Sequence, residues 1–171
     1  RAHSSNVLSL AVTPDSKVLV SGALDGFRVW DLLQQRPLGT LSRFDSSIHA
    51  VAISPNGRRL VSGDSKGVVT VWDLQSGRAI GGFKAHNNEV KAIAFTPKGD
   101  NVITASRDRT VKMWNFNSGQ VLQTFRGHTN SVIAIAVNPD GQTLASSGKD
   151  GIKIWDLNTG QLLSTLYGHS D

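Results

Sequence analysis

Three sets of side chains in this sequence carry the functional groups of a serine hydrolase, namely a hydroxyl, an imidazole and a carboxylate. They are His3, Ser21 and Asp25; His86, Thr104 and Asp108; and His128, Ser146 and Asp150. Such a set can activate its hydroxyl as a nucleophile, but only where the hydroxyl is exposed and an oxyanion hole lies nearby. Each hydroxyl residue here lies within a predicted strand, and the set occurs three times, whereas an enzyme needs one site. We therefore expect no catalytic residue, and a hydrolase remains a minor alternative.

The sequence also lacks the pattern of a metal or cofactor site. It contains no cysteine, and four of its five histidines, His169 included, recur at multiples of about 41 residues with no His-x₃-His pair. Gly81-Gly82 and Ser147-Gly148-Lys149 lack the spacing of a phosphate-binding loop. We expect neither a metal ion nor a cofactor.

A regular interval underlies these sets. Trp-Asp or Trp-Asn pairs recur with spacings of 42, 42 and 41 residues, beginning at Trp30, Trp72, Trp114 and Trp155. An Ala-His or Gly-His pair lies upstream of the first, third and fourth of them. A period of 40 to 45 residues with both signatures is typical of the four-stranded blades of a β-propeller. The sequence therefore predicts an all-β fold with four blades of four antiparallel strands.

The third repeat shows the predicted strands most clearly. The apolar segment 90–96 predicts an inner strand that is buried on both faces. A type I turn with Pro97 and Gly99 should follow it. Strands are then predicted at 101–105, 110–114 and 121–125, separated by turn residues.

These signatures resemble those of the WD40 repeat family across the whole chain. The resemblance implies a β-propeller that acts as an interaction scaffold, with a hydrogen-bonded tetrad of His, Ser or Thr, Asp and Trp in a blade. By position, the tetrads are His3, Ser21, Asp25 and Trp30; His86, Thr104, Asp108 and Trp114; and His128, Ser146, Asp150 and Trp155. Such a chain satisfies buried polar groups that would otherwise each cost about 1–3 kcal/mol. We expect blades at 1–42, 43–84, 85–126 and 127–168, with a further repeat beginning at 168–171.

The second repeat departs from this pattern. Phe44 stands in the His position and Lys66 in the Asp position, so only Ser62 and Trp72 remain. Asp64 comes two residues early, and we do not expect it to substitute. Packing against neighbouring blades should hold this blade in place of a polar network.

Four blades in a row leave apolar faces at both ends, because repeats of this kind bury their faces only against neighbours. We favour further propeller blades in the same polypeptide. The alternative is a second copy that joins the first in an eight-bladed ring with twofold symmetry. A closed ring of four would need different wedge angles.

Composition bears on the partner class. The net charge is +5, but Lys and Arg are scattered and Arg58-Arg59 is the only adjacent pair, so nucleic acid is an unlikely partner. No apolar run reaches the roughly 18 residues of a membrane helix. The chain begins directly with a repeat and shows no signal peptide, and we expect a cytoplasmic location.

A protein or peptide partner is the predicted ligand, bound on the face that carries the His loops and Asp turns. The residues expected to point into this face are Asn6, Leu8, Leu24, Ser47, His49, Ser65, Glu89, Lys91, Arg107, Ser131, Ile133 and Lys149. Their mixed chemistry suits a protein surface better than a phosphate backbone. Blades 2 to 4 hold most of the long side chains, and Arg107 is the first to test, although a salt bridge within its own turn would also explain it. The alternative function is a structural module with no ligand on this face.

Overall fold

The computed structural model describes residues 3–40 and 47–167. Every regular element in this part of the chain is a β-strand, which confirms the predicted all-β fold. The strands are β1 (Val7–Val12), β2 (Val18–Ala23), β3 (Gly26–Asp31), β4 (Arg36–Thr40), β5 (Ile48–Ile53), β6 (Arg59–Asp64), β7 (Val68–Asp73), β8 (Arg78–Lys84), β9 (Val90–Phe95), β10 (Asn101–Ser106), β11 (Thr110–Asn115), β12 (Val121–Arg126), β13 (Val132–Val137), β14 (Thr143–Gly148), β15 (Gly151–Asp156) and β16 (Leu162–Leu166).

The strands form four antiparallel meanders, each made of four consecutive strands. In the third, β10 pairs with β9 on one side and β11 on the other, and β12 completes the sheet. The Gly99 N–H donates to the Thr96 carbonyl at 2.8 Å, and Gly99 has a φ of 75°, as a turn closed by glycine requires. The predicted strands of this repeat are correct to within one residue at each end.

Apolar cores lie between the sheets, where one blade packs on the next. The Trp on the third strand of a blade contacts an aromatic side chain of the preceding blade. Phe27 meets Trp72 edge-on at 5.0 Å between ring centroids, and Phe125 meets Trp155 in the same way at 5.7 Å. Each inner blade packs one face on the blade before it and the other on the blade after it. The interfaces between neighbouring blades therefore stabilise the fold.

The four blades form an open arc. The inner strands pack in the order β1, β5, β9 and β13, and within the described residues no comparable packing joins β13 to β1. The two end faces are consequently left uncovered. Trp30 of the first blade is only partly buried, whereas Trp155 of the fourth is 1% exposed.

The expectation that the inner strand is buried on both faces is wrong. In β9 only Val90 is fully buried, and the other five residues are partly exposed. The inner strand is the edge of its sheet that borders the open centre of the arc. Its two faces pack on the inner strands of the neighbouring blades, β5 and β13, and its partial exposure therefore comes from the unpaired edge at that centre.

Candidate functional site

The fourth blade shows the predicted tetrad in full. The indole N–H of Trp155 donates to Ser146 Oγ at 2.8 Å, and Ser146 Oγ lies 2.8 Å from His128 Nε2. His128 Nδ1 lies 2.8 Å from Asp150 Oδ1. Strand β14 positions the hydroxyl, β15 the indole, and the turn between them the carboxylate. The four residues named from the sequence are thus joined in the order Trp155, Ser146, His128 and Asp150.

The chemistry of the end groups fixes two of the three contacts. An indole N–H only donates and a carboxylate only accepts. Ser146 therefore accepts from Trp155, and Nδ1–H of His128 donates to Asp150. Every polar group of the chain thus has a partner. A nucleophilic serine is part of the same chain of hydroxyl, imidazole and carboxylate, but Ser146 and the His128 side chain are each 1% exposed, so this hydroxyl is closed to a substrate.

The first and third blades repeat this geometry. His3 lies 2.7 Å from the Ser21 hydroxyl and 2.6 Å from Asp25, and Trp30 donates to the same hydroxyl at 2.9 Å. In the third blade the corresponding contacts join His86 to Thr104 at 2.7 Å and to its turn carboxylate at 2.9 Å. The indole of that blade donates to the threonine hydroxyl at 2.9 Å. The two hydroxyls are 4% and 0% exposed, so they too are closed to substrates.

The tetrad carboxylates are held in the ionised form. Burial raises the pKa of Asp108 and Asp150, but hydrogen bonds from the tetrad histidines, together with those from Thr110 to Asp108 and from the Thr129 N–H to Asp150, outweigh it and leave both pKa values below the usual 3.8. The pKa of Asp25 is also lowered, chiefly by the backbone N–H of Ser4, which donates to it at 2.8 Å. Each carboxylate therefore anchors both its histidine and the loop before the inner strand.

The second blade keeps only the expected remnant. Trp72 donates to Ser62 Oγ at 3.0 Å, and both residues are buried. Asp64 accepts backbone N–H groups from Lys66 and Val68 at 2.9 and 2.8 Å, so it caps its own turn. Phe44, predicted in the His position, lies outside the described residues, as do 168–171.

A row of charged side chains crosses from the second blade to the third on the His-loop face. Glu89 lies between two cations, with Lys91 Nζ at 2.5 Å and Arg107 Nη1 at 3.2 Å. Lys91 Nζ in turn lies 3.5 Å from His49 Nδ1. These four residues, the charged row, occupy the second position of β5 and β9 and the loops beside them.

Electrostatics within the charged row follow from this arrangement. Burial, with a further contribution from Lys91, lowers the pKa of His49, so its imidazole is neutral near pH 7. The hydrogen bond from Lys91 lowers the pKa of Glu89. The row therefore carries two positive charges and one negative charge. The salt bridge that the sequence offered as a second explanation of Arg107 is present, yet the Arg107 side chain remains 59% exposed.

The remaining predicted rim residues differ in how far they are exposed. Five are exposed, namely Asn6, Leu8 at 44%, Leu24 at 45%, Ile133 at 56% and Lys149. The serines at 47, 65 and 131 are partly buried. The Ser47 carbonyl accepts the Ser65 N–H at 2.9 Å, which fixes one rim turn. The rim thus has a charged centre with isolated apolar side chains on either side.

Some supporting residues escaped the sequence argument. Lys112 donates to the Ala85 carbonyl at 2.8 Å and lies 5.4 Å from the Trp114 ring centroid, where it ties the His loop to β11. Thr110 donates to Asp108 at 2.6 Å. Arg28 and Lys153 stand at the Lys112 position in the first and fourth repeats, so comparing repeats could have identified Lys112, whereas no other repeat has a threonine at the Thr110 position.

Within 3–40 and 47–167, no group of three or more His, Asp or Glu side chains is placed to hold a metal ion. The same residues contain no helix long and apolar enough to cross a membrane.

Comparison with known proteins identifies repeats and partial relatives. The family model for the WD domain, G-beta repeat (WD40) matches residues 1–31, 35–73, 77–115 and 119–156. Protein hir1 of Aspergillus terreus is 37% identical over 76 residues, which covers 38% of this chain and 8% of that protein. Protein HIR1 of Kluyveromyces lactis is 32% identical over 83 residues, covering 38% and 10%, respectively. DmX-like protein 1 of Homo sapiens is 33% identical over 70 residues, covering 40% and 2%. The matched part of the chain spans no more than about a tenth of these relatives.

Proposed function

The chain belongs to the WD40 repeat family, and from that premise we propose that it is a non-catalytic scaffold that binds a protein or peptide through its His-loop face. Three Ser/Thr–His–Asp sets could have supported chemistry, but they are buried within blades and spend their hydrogen bonds on the fold. A cytoplasmic location is part of the proposal, and microscopy of the tagged protein tests it.

The charged row is the observation that carries this proposal. His49, Glu89, Lys91 and Arg107 sit on the ends of strands that are fixed by neighbouring blades. Long side chains on a rigid support lose little entropy when they bind, because the backbone beneath them is already ordered. Arg107 can exchange Glu89 for a carboxylate of the partner, and guanidinium groups often dominate interface energies.

The same row also supports the alternative function. Glu89 already neutralises much of the charge of Lys91 and Arg107. In a structural module with no ligand on this face, these ion pairs would serve only to hold the loops beside β9 and β10 together. The two functions differ in one respect: only a binding surface makes partner recovery depend on exposed rim cations.

Affinity capture with charge-reversal variants tests the proposal. The double variant Arg107→Glu, Lys149→Glu alters two exposed cations of the rim and should lower partner recovery about tenfold or more. The matched control Arg78→Glu, Lys98→Glu alters two exposed cations on other surfaces and should leave recovery unchanged. Equal recovery from both variants, with unchanged melting temperatures, would move the partner site away from the His-loop face.

We further propose that the open arc is completed by more blades of this kind, in the same polypeptide or from a second copy. The support lies in the two uncovered ends: Trp30 is partly exposed at one, and Leu166 is 51% exposed at the other. In the inner interfaces, Trp155 and Phe125 occupy the equivalent positions and are each 1% exposed. The mass in solution tests this, since a cooperatively folding monomer of 18.3 kDa would contradict both routes.

A further inference from the structure

A groove opens between the first and second blades on the face opposite the His loops. It has a volume of about 700 Å³ and lies between the β1–β2 turn of one blade and the β5–β6 turn of the next. Its apolar wall is formed by Val18, Val29, Leu38 and Leu74. We call it the blade 1–2 groove. Equivalent grooves between blades 2 and 3 and between blades 3 and 4 measure about 440 and 420 Å³.

Side-chain size at equivalent positions explains why this groove is wider. In the first blade, Val18 is paired across the sheet with Asp31, the residue that follows Trp30. In the second blade, Arg59 is paired in the same way with Asp73, the residue that follows Trp72. Arg59 lines the narrower blade 2–3 groove, and it also reaches the blade 1–2 groove, where it is ion-paired to Asp73. A valine at this position leaves the corresponding space empty.

A second position contributes to the same effect. Leu74 lies two residues after Trp72, and the corresponding residue of the third blade is Phe116. Phe116 lines the blade 2–3 groove and packs edge-on against Phe95 at 5.2 Å. In the blade 3–4 groove, Met113 replaces the shorter Val29. Compared with the blade 2–3 groove, the blade 1–2 groove has the smaller side chain at the first two positions, and compared with the blade 3–4 groove it has the smaller one at the third.

Two arginines and two aspartates line the blade 1–2 groove, and Arg58 is the one of these four without an ion pair among the described residues. Arg59 is paired with Asp73, and Asp15 lies 3.9 Å from Lys17. Arg58 also lines the groove and is exposed, and within the described residues it forms no ion pair. An apolar wall beside a free guanidinium is complementary to an apolar side chain with a carboxylate next to it.

We propose that the blade 1–2 groove binds a peptide segment of another protein, which inserts one large apolar side chain between the blades and places an acidic residue beside Arg58. This site is separate from the His-loop face and does not depend on the function proposed for that face. A bivalent scaffold results, because the two sites lie at opposite ends of the strands.

Selection from a displayed library of random heptapeptides tests this proposal. The probe is the library itself, presented first to the 171-residue chain and then to a variant with a filled groove. Val18→Arg and Leu74→Phe each introduce the residue that a neighbouring blade already carries at the equivalent position, so the fold has a precedent for both. Melting temperatures of the two variants confirm that they are folded.

The expected result is a set of peptides that share a large apolar residue next to Asp or Glu. Their binding should fall about tenfold or more with either filling variant, as expected when an apolar side chain loses its pocket. Arg58→Glu should weaken the same peptides about fivefold. Asn101 occupies the position of Val18 in the blade 3–4 groove, so Asn101→Arg is the matched control. It should leave the binding of the selected peptides unchanged.

Three outcomes would overturn the proposal. The first is that no selected peptide distinguishes the wild-type chain from both filled variants. The second is that the selected peptides carry basic residues in place of acidic ones. The third is that the groove acts only as an anion site: a single-stranded oligonucleotide would then bind with sensitivity to Arg58→Glu but not to Leu74→Phe.

Discussion

Removing the imidazole of His128 is the sharpest perturbation of the tetrad. His128→Ala deletes the contacts to Ser146 and Asp150, both at 2.8 Å, and empties a site that is 6.3 Å from the Trp155 ring centroid. The orphaned Ser146 hydroxyl costs about 1–3 kcal/mol, and loss of buried packing adds about 1 kcal/mol. The free energy of unfolding should therefore fall by roughly 2–4 kcal/mol, which is a large part of a typical domain's stability.

Thermal and urea denaturation followed by circular dichroism measure this change. A domain of this size loses about 2–4 °C of melting temperature per kcal/mol, so we expect a decrease of roughly 4–16 °C. His49→Ala is the matched control, because His49 is partly exposed and belongs to no tetrad; it should cost less than about 1 kcal/mol. An unchanged melting temperature for His128→Ala, together with loss of a measurable activity, would refute the structural role of the tetrads.

Three further predictions concern stability. Burial raises the pKa of Asp108 and Asp150, yet hydrogen bonds, those from the histidines among them, leave it below 3.8. The stabilisation of the fold by these two carboxylates is therefore complete above about pH 4 and is lost as the pH falls further. The melting temperature should drop steeply below about pH 4, and Asp150→Asn should flatten that drop; an equal slope would contradict the argument. Gly67→Ala should destabilise by more than about 1 kcal/mol in denaturant titrations, because Gly67 has a φ of +80° and an added Cβ would lie 2.2 Å from a backbone oxygen. Trp155→Ala should lower the free energy of unfolding by about 3–5 kcal/mol. Trp30→Ala should lower it clearly less in the same titration of the 171-residue chain, because Trp155 is fully buried and Trp30 is not. Equal losses would mean that the first blade's end face is covered.

The fold could be predicted from the sequence because its determinants are local and repeated. The turn at Pro97 and Gly99 bounds two strands, and the offsets from His128 to Ser146 and Asp150 recur in other repeats. Each tetrad lies within one blade, so offsets that recur in three of the four repeats identified its members without knowledge of the packing between blades.

Other features depend on residues that are far apart in sequence. The blade 1–2 groove is wide because Val18 and Leu74 are both small, and neither is unusual alone. Likewise, the contact of Lys91 with His49 joins the third blade to the second, and no spacing within one repeat predicts it. Inner-strand burial was mispredicted because an apolar segment does not reveal that one edge of the strand borders an open centre.

The central claim is that partners dock on the His-loop face, and site-specific photo-cross-linking tests it most directly. Benzoylphenylalanine in place of Ile133 puts the reactive group on the rim, and the same replacement of Ile80 puts it on the outer strand β8. The two isoleucines are 56% and 53% exposed, so accessibility is matched. The account predicts that the partner recovered by affinity capture cross-links from position 133 and not from position 80. Cross-linking from position 80 alone, with both variants folded, would contradict it.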